Sequence, residues 1–309
     1  MLKYTLSRLG YMVVTLWVIV TITFFLMHLL PGTPLKNEEK LPPEIREQII
    51  ASYGLDKPLM VQYGLFLEKL VQGDLGNSMN LDGRSVTDLI LQGFPASALI
   101  GIQGVIFGVI IGLALGIIAA LRRGTWVDNL STVIAIAGVS VPSFVAAGLL
   151  SFWVGVKWGI LPVAGWESWE YSILPSLALS FFVISQMARY VRSEMVEVLD
   201  QDYMKTAKAK GLKRSAIVVR HAMRNALIPA ITVLGPLTIN IITGSVVVEQ
   251  IFNIPGDGKY FVDSITTNDY TMIMGITIFY AILFIVAIFL VDLLYGVIDP
   301  RIRIASAKE

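Results

Sequence analysis

Little in this sequence can serve as nucleophile, base or metal ligand. There is no cysteine, which excludes disulfides, thiolate metal sites and thiol nucleophiles. Only His28 and His221 carry imidazole, so a multi-histidine metal centre within one chain is excluded too. No GxxxxGK[ST] loop is present to cradle nucleotide phosphates, no HExxH pair to hold zinc, and no GxSxG elbow to present a serine. Ion-driven carriers place titratable or oxygen-rich groups deep in their apolar spans. Here only His28 and Asp292 come close, each near the end of an apolar run, and both read as structural or interfacial. What the chain does concentrate is positive charge. Nine Lys and Arg fall between Arg189 and Arg224, in and around "DYMKTAKAKGLKRSAIVVRHAMRNALIP", residues 202–229. That pattern suits docking or attraction to anionic lipid rather than bond-making.

The elements that must position this segment are apolar. Of 309 residues, 55% are hydrophobic and 15% charged, and the mean hydropathy is +0.70, against about 25% charged in a soluble domain. Six windows carry no Asp, Glu, Lys or Arg over at least 18 residues: Leu9–Leu35, Leu89–Leu121, Asn129–Val156, Tyr171–Ala188, Asn225–Val248 and Tyr270–Val291. About 20 apolar residues in a helix cross a hydrocarbon core roughly 30 Å thick. The expectation is an all-α, polytopic membrane protein with six transmembrane helices at about 9–30, 97–121, 131–156, 172–188, 226–248 and 271–294. The first run resembles a secretory signal, but it is longer than an h-region and is followed by Pro31-Gly32 rather than a cleavage site, so it is retained as a helix.

Basic residues orient the spans. The loops on the side of the N-terminus hold 16 Lys and Arg, and those on the other side hold 8. The positive-inside rule therefore puts both termini in the cytoplasm, together with the loop 189–225. The loop 31–95 lies outside. Within it, "PPEIREQIIASYG" predicts a helix opening at Pro43 and closing at Gly54, and "LMVQYGLFLEKLVQG" a second short one. They form either a lid on the outer helix ends or a docking surface for an external partner.

Two patterns concern packing. Gly104, Gly108, Gly112 and Gly116 recur every four residues and bare one helical stripe, which lets another helix approach closely in lipid. That helix belongs either to this chain or to a second subunit. Pro142 and Pro236 fall inside spans three and five, with Pro229 near the inner start of span five. Prolines there bend helices and free backbone carbonyls.

The basic segment divides at Gly211. "MKTAKAK" before it is helix-forming and small, and the glycine turns the chain as a residue just past a helix end would. After it, Leu212, Ala216, Val219 and Met223 are expected on one face of an amphipathic helix, with Lys213, Arg220 and Arg224 on another. The segment is either an interfacial basic helix held by lipid or the attachment point for another protein. With no energy source of its own, a transporter of this kind would draw energy through such a cytoplasmic contact.

The segment resembles the cytoplasmic "EAA" loop of ABC-importer permeases. Ala207 and Gly211 match that motif's second Ala and its Gly, while Lys205 and Thr206 replace its Glu and first Ala. The variant is similar to the peptide-transport branch. The likeness runs through "LPGTP", "YGLDKPL", "GDLGNS", "SVPSF", "LPVAGW", "VVVEQIFNIPGDG" and "DLLYGVIDPRIR", as in the B-type, first permease subunit of an oligopeptide or dipeptide importer. One departure is Thr271 in "NDYTMIMG", where that family commonly has proline. The resemblance implies the type I ABC-importer permease fold and a non-catalytic subunit working by alternating access in a bacterial or archaeal cell membrane. It implies pairing with a homologous second permease, with two ATPases that bind ATP and Mg, and with an external solute-binding protein. No nucleic acid is involved, and this chain binds no cofactor. The implied ATPase-coupling residues are Asp202, Tyr203, Thr206, Ala207, Ala209, Lys210, Gly211, Leu212, His221, Asn225 and Pro229. Dipeptide or nickel import by the same family is an alternative. From other classes, an autonomous secondary carrier and a membrane-embedded enzyme lack the residues they would need.

Overall fold

Backbone polar groups in hydrocarbon must be satisfied within their own segment, so apolar runs of this length become helix. In the computed structural model, described over residues 2–29, 42–242 and 246–298, thirteen α-helices are seen among the described residues. Clustering of the backbone gives two units, one of residues up to Pro95 with Gly256–Ile285, the other of Ala96–Pro255 with the segment from Val286.

The first unit holds α1 (Leu2–Leu29), α2 (Pro43–Tyr53), α3 (Leu59–Val71) and α12 (Asp257–Thr266), with the opening turns of α4 (Val86–Leu121) and of α13 (Tyr270–Ile298). The expected bounds of α2 hold because Pro43 sits in its first turn and Gly54 closes it at φ 68°. α3 lies on α1: the rings of Phe24 and Phe66 stack, and Thr21 and Tyr63 share a hydroxyl contact of 2.6 Å. His28 is structural here, its ring nitrogens 2.8 Å from the Phe24 carbonyl and 3.1 Å from Gln62 Oε1. Buried Asp269 accepts hydrogen bonds from Ser78 Oγ and from the backbone N–H of Asn80 and Met272. Thr271, the departure noted above, packs on Gly76, where a Cβ would come within 2.8 Å of its methyl.

The second unit holds the rest of α4, then α5 (Trp126–Ser140), α6 (Ser143–Leu150) and a π-helical stretch Ser151–Lys157. α7 (Ile173–Leu199), α8 (Asp202–Ala209), α9 (Arg214–Ala216), a π-helical turn Ile217–Ala222, α10 (Met223–Ile242) and α11 (Val246–Ile251) follow. α7 is the central element. Its buried stripe includes Leu174, Ala178, Val183, Met187, Val191 and Met195. The glycine stripe meets this helix of the same chain: a Cβ on Gly104 would lie 3.0 Å from the Ser176 carbonyl, on Gly112 2.5 Å from Met187 Cβ, and on Gly116 2.8 Å from the Ala188 carbonyl. On the other side Ser185 Oγ donates to the Ala135 carbonyl, and Gly138 abuts the Phe181 carbonyl.

The helices differ from the expected spans in three ways. α4 starts at Val86, not near 97, and carries Pro95 inside it; the ring removes one intrahelical donor without ending the helix. α7 runs to Leu199 and so takes up the beginning of the 189–225 loop. Most distinct, the third span is broken. Trp126–Ser140 and Ser143–Lys157 meet at a bend of 103°, because Pro142 has no N–H and forces Val141 out of helical backbone, to φ −85°, ψ 115°. Four helices among the described residues are long and apolar enough to cross a membrane, and the bent pair is a fifth if taken as one span. The apolar part of α10, Val233–Ile242, is shorter; the expected fifth span includes residues 243–245, outside the described residues.

Candidate functional site

The expected coupling residues gather at the end of α7. Only Asp200 and Gln201 separate α7 from α8. Gln201 opens α8 with extended backbone, Asp202 lies in the first turn and Lys208 in the last, which matches the helix dipole at both ends. Met204 and Ala207 are buried, 3% and 7% exposed, and belong to the same apolar cluster as Val198, Ile217 and Ala222. The opposite stripe of Asp202, Tyr203, Thr206, Ala209 and Lys210 is exposed. Thr206 Oγ1 donates to the Asp202 carbonyl at 3.2 Å. The Lys205–Asp202 pair is 2.8 Å long, but both side chains are mostly in solvent, so it contributes little. Asn225 Nδ2 donates to Tyr203 Oη at 3.0 Å and ties α8 to the start of α10.

Gly211 forms the corner. Its φ is 74°, its N–H donates to the Lys208 carbonyl at 3.0 Å, and the Leu212 N–H reaches the Ala207 carbonyl at 3.4 Å. These are the paired bonds of a Schellman motif, whose left-handed residue favours glycine. Among the described residues, a Cβ built on Gly211 would meet nothing within 4 Å.

The return segment is not the expected amphipathic α-helix. Leu212 is 42% and Val219 60% exposed, while Ile217, Ala222, Ala226 and Ala230 are buried. Leu212 precedes the helix, which starts only at Arg214, and beyond it the π-helical turn changes the register. Its i→i+5 bonds insert one residue, so the buried positions step by five from Ile217 to Ala222 and by four after that. His221 sits half-buried in this turn. Pro229 lies within α10, and its side chain is outside the described residues. Between α8, the ends of α4 and α7, and the π-helical turn is a cleft of about 580 Å³ bordered by Leu121, Leu199, Met204, Lys208, Leu212 and Val218. The arrangement offers a short helix with one buried face, one exposed face and an adjoining cleft.

Two features were missed in the sequence. Arg192 on α7 grips Asp128 of α5 with Nε–Oδ1 at 2.6 Å and Nη2–Oδ2 at 2.9 Å. Glu249, with no exposed surface, accepts from Ser97 Oγ at 2.9 Å. Each acid borders a charge-free window; that placement was the available signal.

With this geometry established, the chain can be compared with known proteins. The family "Binding-protein-dependent transport system inner membrane component" matches residues 112–304, and its N-terminal companion, "Binding-prot-dependent transport system membrane comp, N-term", matches residues 1–98. The chain is 45% identical over 304 residues to the dipeptide transport system permease protein of Bacillus subtilis (strain 168), covering 98% of this chain and 99% of that one. It is 41% identical over 305 residues to the oligopeptide transport system permease protein of Escherichia coli (strain K12), covering 98% and 100%. A crystal structure of an amino acid ABC transporter with histidines superposes with TM-score 0.54 at 16% identity, over 67% of this chain and 93% of that one; this shows the fold alone. The chain belongs to the family of binding-protein-dependent transport system inner membrane components, as a non-catalytic, multi-pass permease subunit.

Proposed function

We propose that this permease carries peptides across the membrane by alternating access, driven by separate ATPases that attach at α8 and the Gly211 corner. The observation that carries the coupling role is the Schellman corner itself: a short helix buried along Met204 and Ala207, exposed along Tyr203 and Thr206, and closed at Gly211, where a Cβ would meet no atom of the described residues within 4 Å. ATP binding would favour one of two permease states through contacts made differently at this element in each state. The permease itself need not touch nucleotide; ATP and Mg belong to the ATPases.

The proposed assembly is this chain, a homologous second permease, two cytoplasmic ATPases and an external solute-binding protein. The excess of Lys and Arg on the side of the N-terminus supports a cytoplasmic position for both termini and α8, which an even number of spans would allow. The relatives named for dipeptide and for oligopeptide transport support peptide as the solute class, with length selected largely by the binding protein. Detergent extraction of the tagged chain tests the coupling assignment. The ATPases are expected to co-purify with the wild-type chain and to be depleted when α8 residues Tyr203 and Thr206 are replaced by bulky charged ones. Undiminished co-purification with such variants would overturn it.

A further inference from the structure

The Asp128–Arg192 pair has no part in attachment as described so far, yet its construction is demanding. Asp128 is 3% exposed. Its two oxygens take both prongs of the Arg192 guanidinium, and Oδ2 also accepts the Gly124 N–H at 3.0 Å. A bidentate fork fixes the mutual rotation and register of two helices, which apolar packing alone leaves free to slide. One carboxylate thereby ties together the α4–α5 turn, the first turn of α5, and α7.

Its position gives that tie a direction. Arg192 lies seven residues before the end of α7, about 10 Å along the helix, and α8 follows after only two residues. Arg123, in the same α4–α5 turn, makes a second contact, 3.0 Å to Asp200 at the α7–α8 junction, with both side chains largely in solvent. The exposed pair holds little; the shielded pair is the firm one. Higher up, the glycine stripe of α4 and the Ser185–Ala135 contact keep α4 and α5 pressed on α7.

We propose that Asp128 and Arg192 are positioning residues that fasten α5 and the α4–α5 turn to α7 throughout the transport cycle. A displacement of α8 is then delivered to α5 rather than absorbed at the α5–α7 contact. The pair acts through α8 and so rests on the reading of α8 as the ATPase attachment.

The absence of cysteine in this chain makes a reversible test possible. Asp128→Cys and Arg192→Cys are combined, and the full transporter with its ATPases and binding protein is reconstituted. A short bis-methanethiosulfonate then bridges the two thiols. The expected results are normal co-purification of the ATPases and a fall of roughly tenfold in ATPase stimulation by the loaded binding protein, within the range of about 5–150-fold by which coupled sites influence each other. Bridging should restore most of the stimulation, and reductant should remove it again. Arg192→Lys, which keeps charge but not the fork, should fall between. Full stimulation without the bridge, or no recovery with it in an assembled complex, overturns the proposal. If the ATPases fail to co-purify even with the wild-type chain, it is the attachment reading that fails, and this is seen before any bridge is added.

Discussion

Substituting Gly211 isolates the corner as a cause. Its φ of 74° lies in the left-handed region, and no atom of the described residues stands within 4 Å of a Cβ placed there. Alanine therefore meets no clash, and the penalty is the backbone term alone, about 1–2 kcal/mol for an L-residue in that conformation. At about 1.4 kcal/mol per factor of ten, Gly211→Ala should lower the population of the formed corner roughly five- to thirtyfold relative to its opened state. Gly211→Asn should fall between Gly and Ala, because asparagine tolerates that region. Gly211→Val should be the most damaging, since β-branching adds stiffness. The assay is solute-stimulated ATPase activity and uptake in the reconstituted transporter. The order expected is Gly, Asn, Ala, Val, with membrane insertion unchanged. Gly73 provides the control: its φ is 78°, it too has nothing within 4 Å, and it closes α3 in the other unit. Gly73→Ala carries the same backbone strain and should leave coupling near wild type. Equal loss at both glycines, or full activity in Gly211→Val, would show that the corner has no special part in coupling.

Three further outcomes are expected. Ala207→Leu overpacks a buried position at a cost of about 1–3 kcal/mol, so it should displace α8 and reduce ATPase stimulation while the chain still inserts; unchanged uptake would count against the anchoring role. Gly112→Leu collides with Met187 and the Ile184 carbonyl and should lower the melting temperature in detergent, whereas Gly148→Ala, with open space around it, should not; equal effects would contradict the α4–α7 packing. A photo-crosslinker at Ile45 or Leu59, both exposed on the outer-loop helices, should capture the solute-binding protein; labelling of lipid alone would favour the lid reading of that loop.

What the sequence disclosed depended on whether local chemistry was decisive. α2 was legible to the residue because the fixed φ of Pro43 suits a first turn and Gly54 tolerates the left-handed backbone that closes a helix, and the Gly211 corner was legible for that second reason. Long apolar runs revealed that helices exist but not how they bend. Pro142 was visible in span three, yet a proline in an apolar run does not specify a 103° turn; neighbouring helices decide that. Gly93 and Pro95 are ordinarily punctuation, and α4 runs through both. The π-helical turn Ile217–Ala222 was illegible because a shift from i+4 to i+5 bonding has no residue code, and it leaves Val219 in solvent while Ile217 and Ala222 are buried. The stripe of four glycines announced close packing but not its partner, which is α7. Asp128 and Arg192 are 64 residues apart, and only the folded chain brings them together.

On the proposed mechanism, this chain moves solute only when ATPases drive it through α8. Uptake of labelled peptide into proteoliposomes tests it directly, comparing the chain with its second permease, binding protein and ATPases against the same chain without the ATPases. ATP-dependent uptake is expected in the first case and none above background in the second. Robust, saturable uptake by the chain without ATPases would contradict that mechanism.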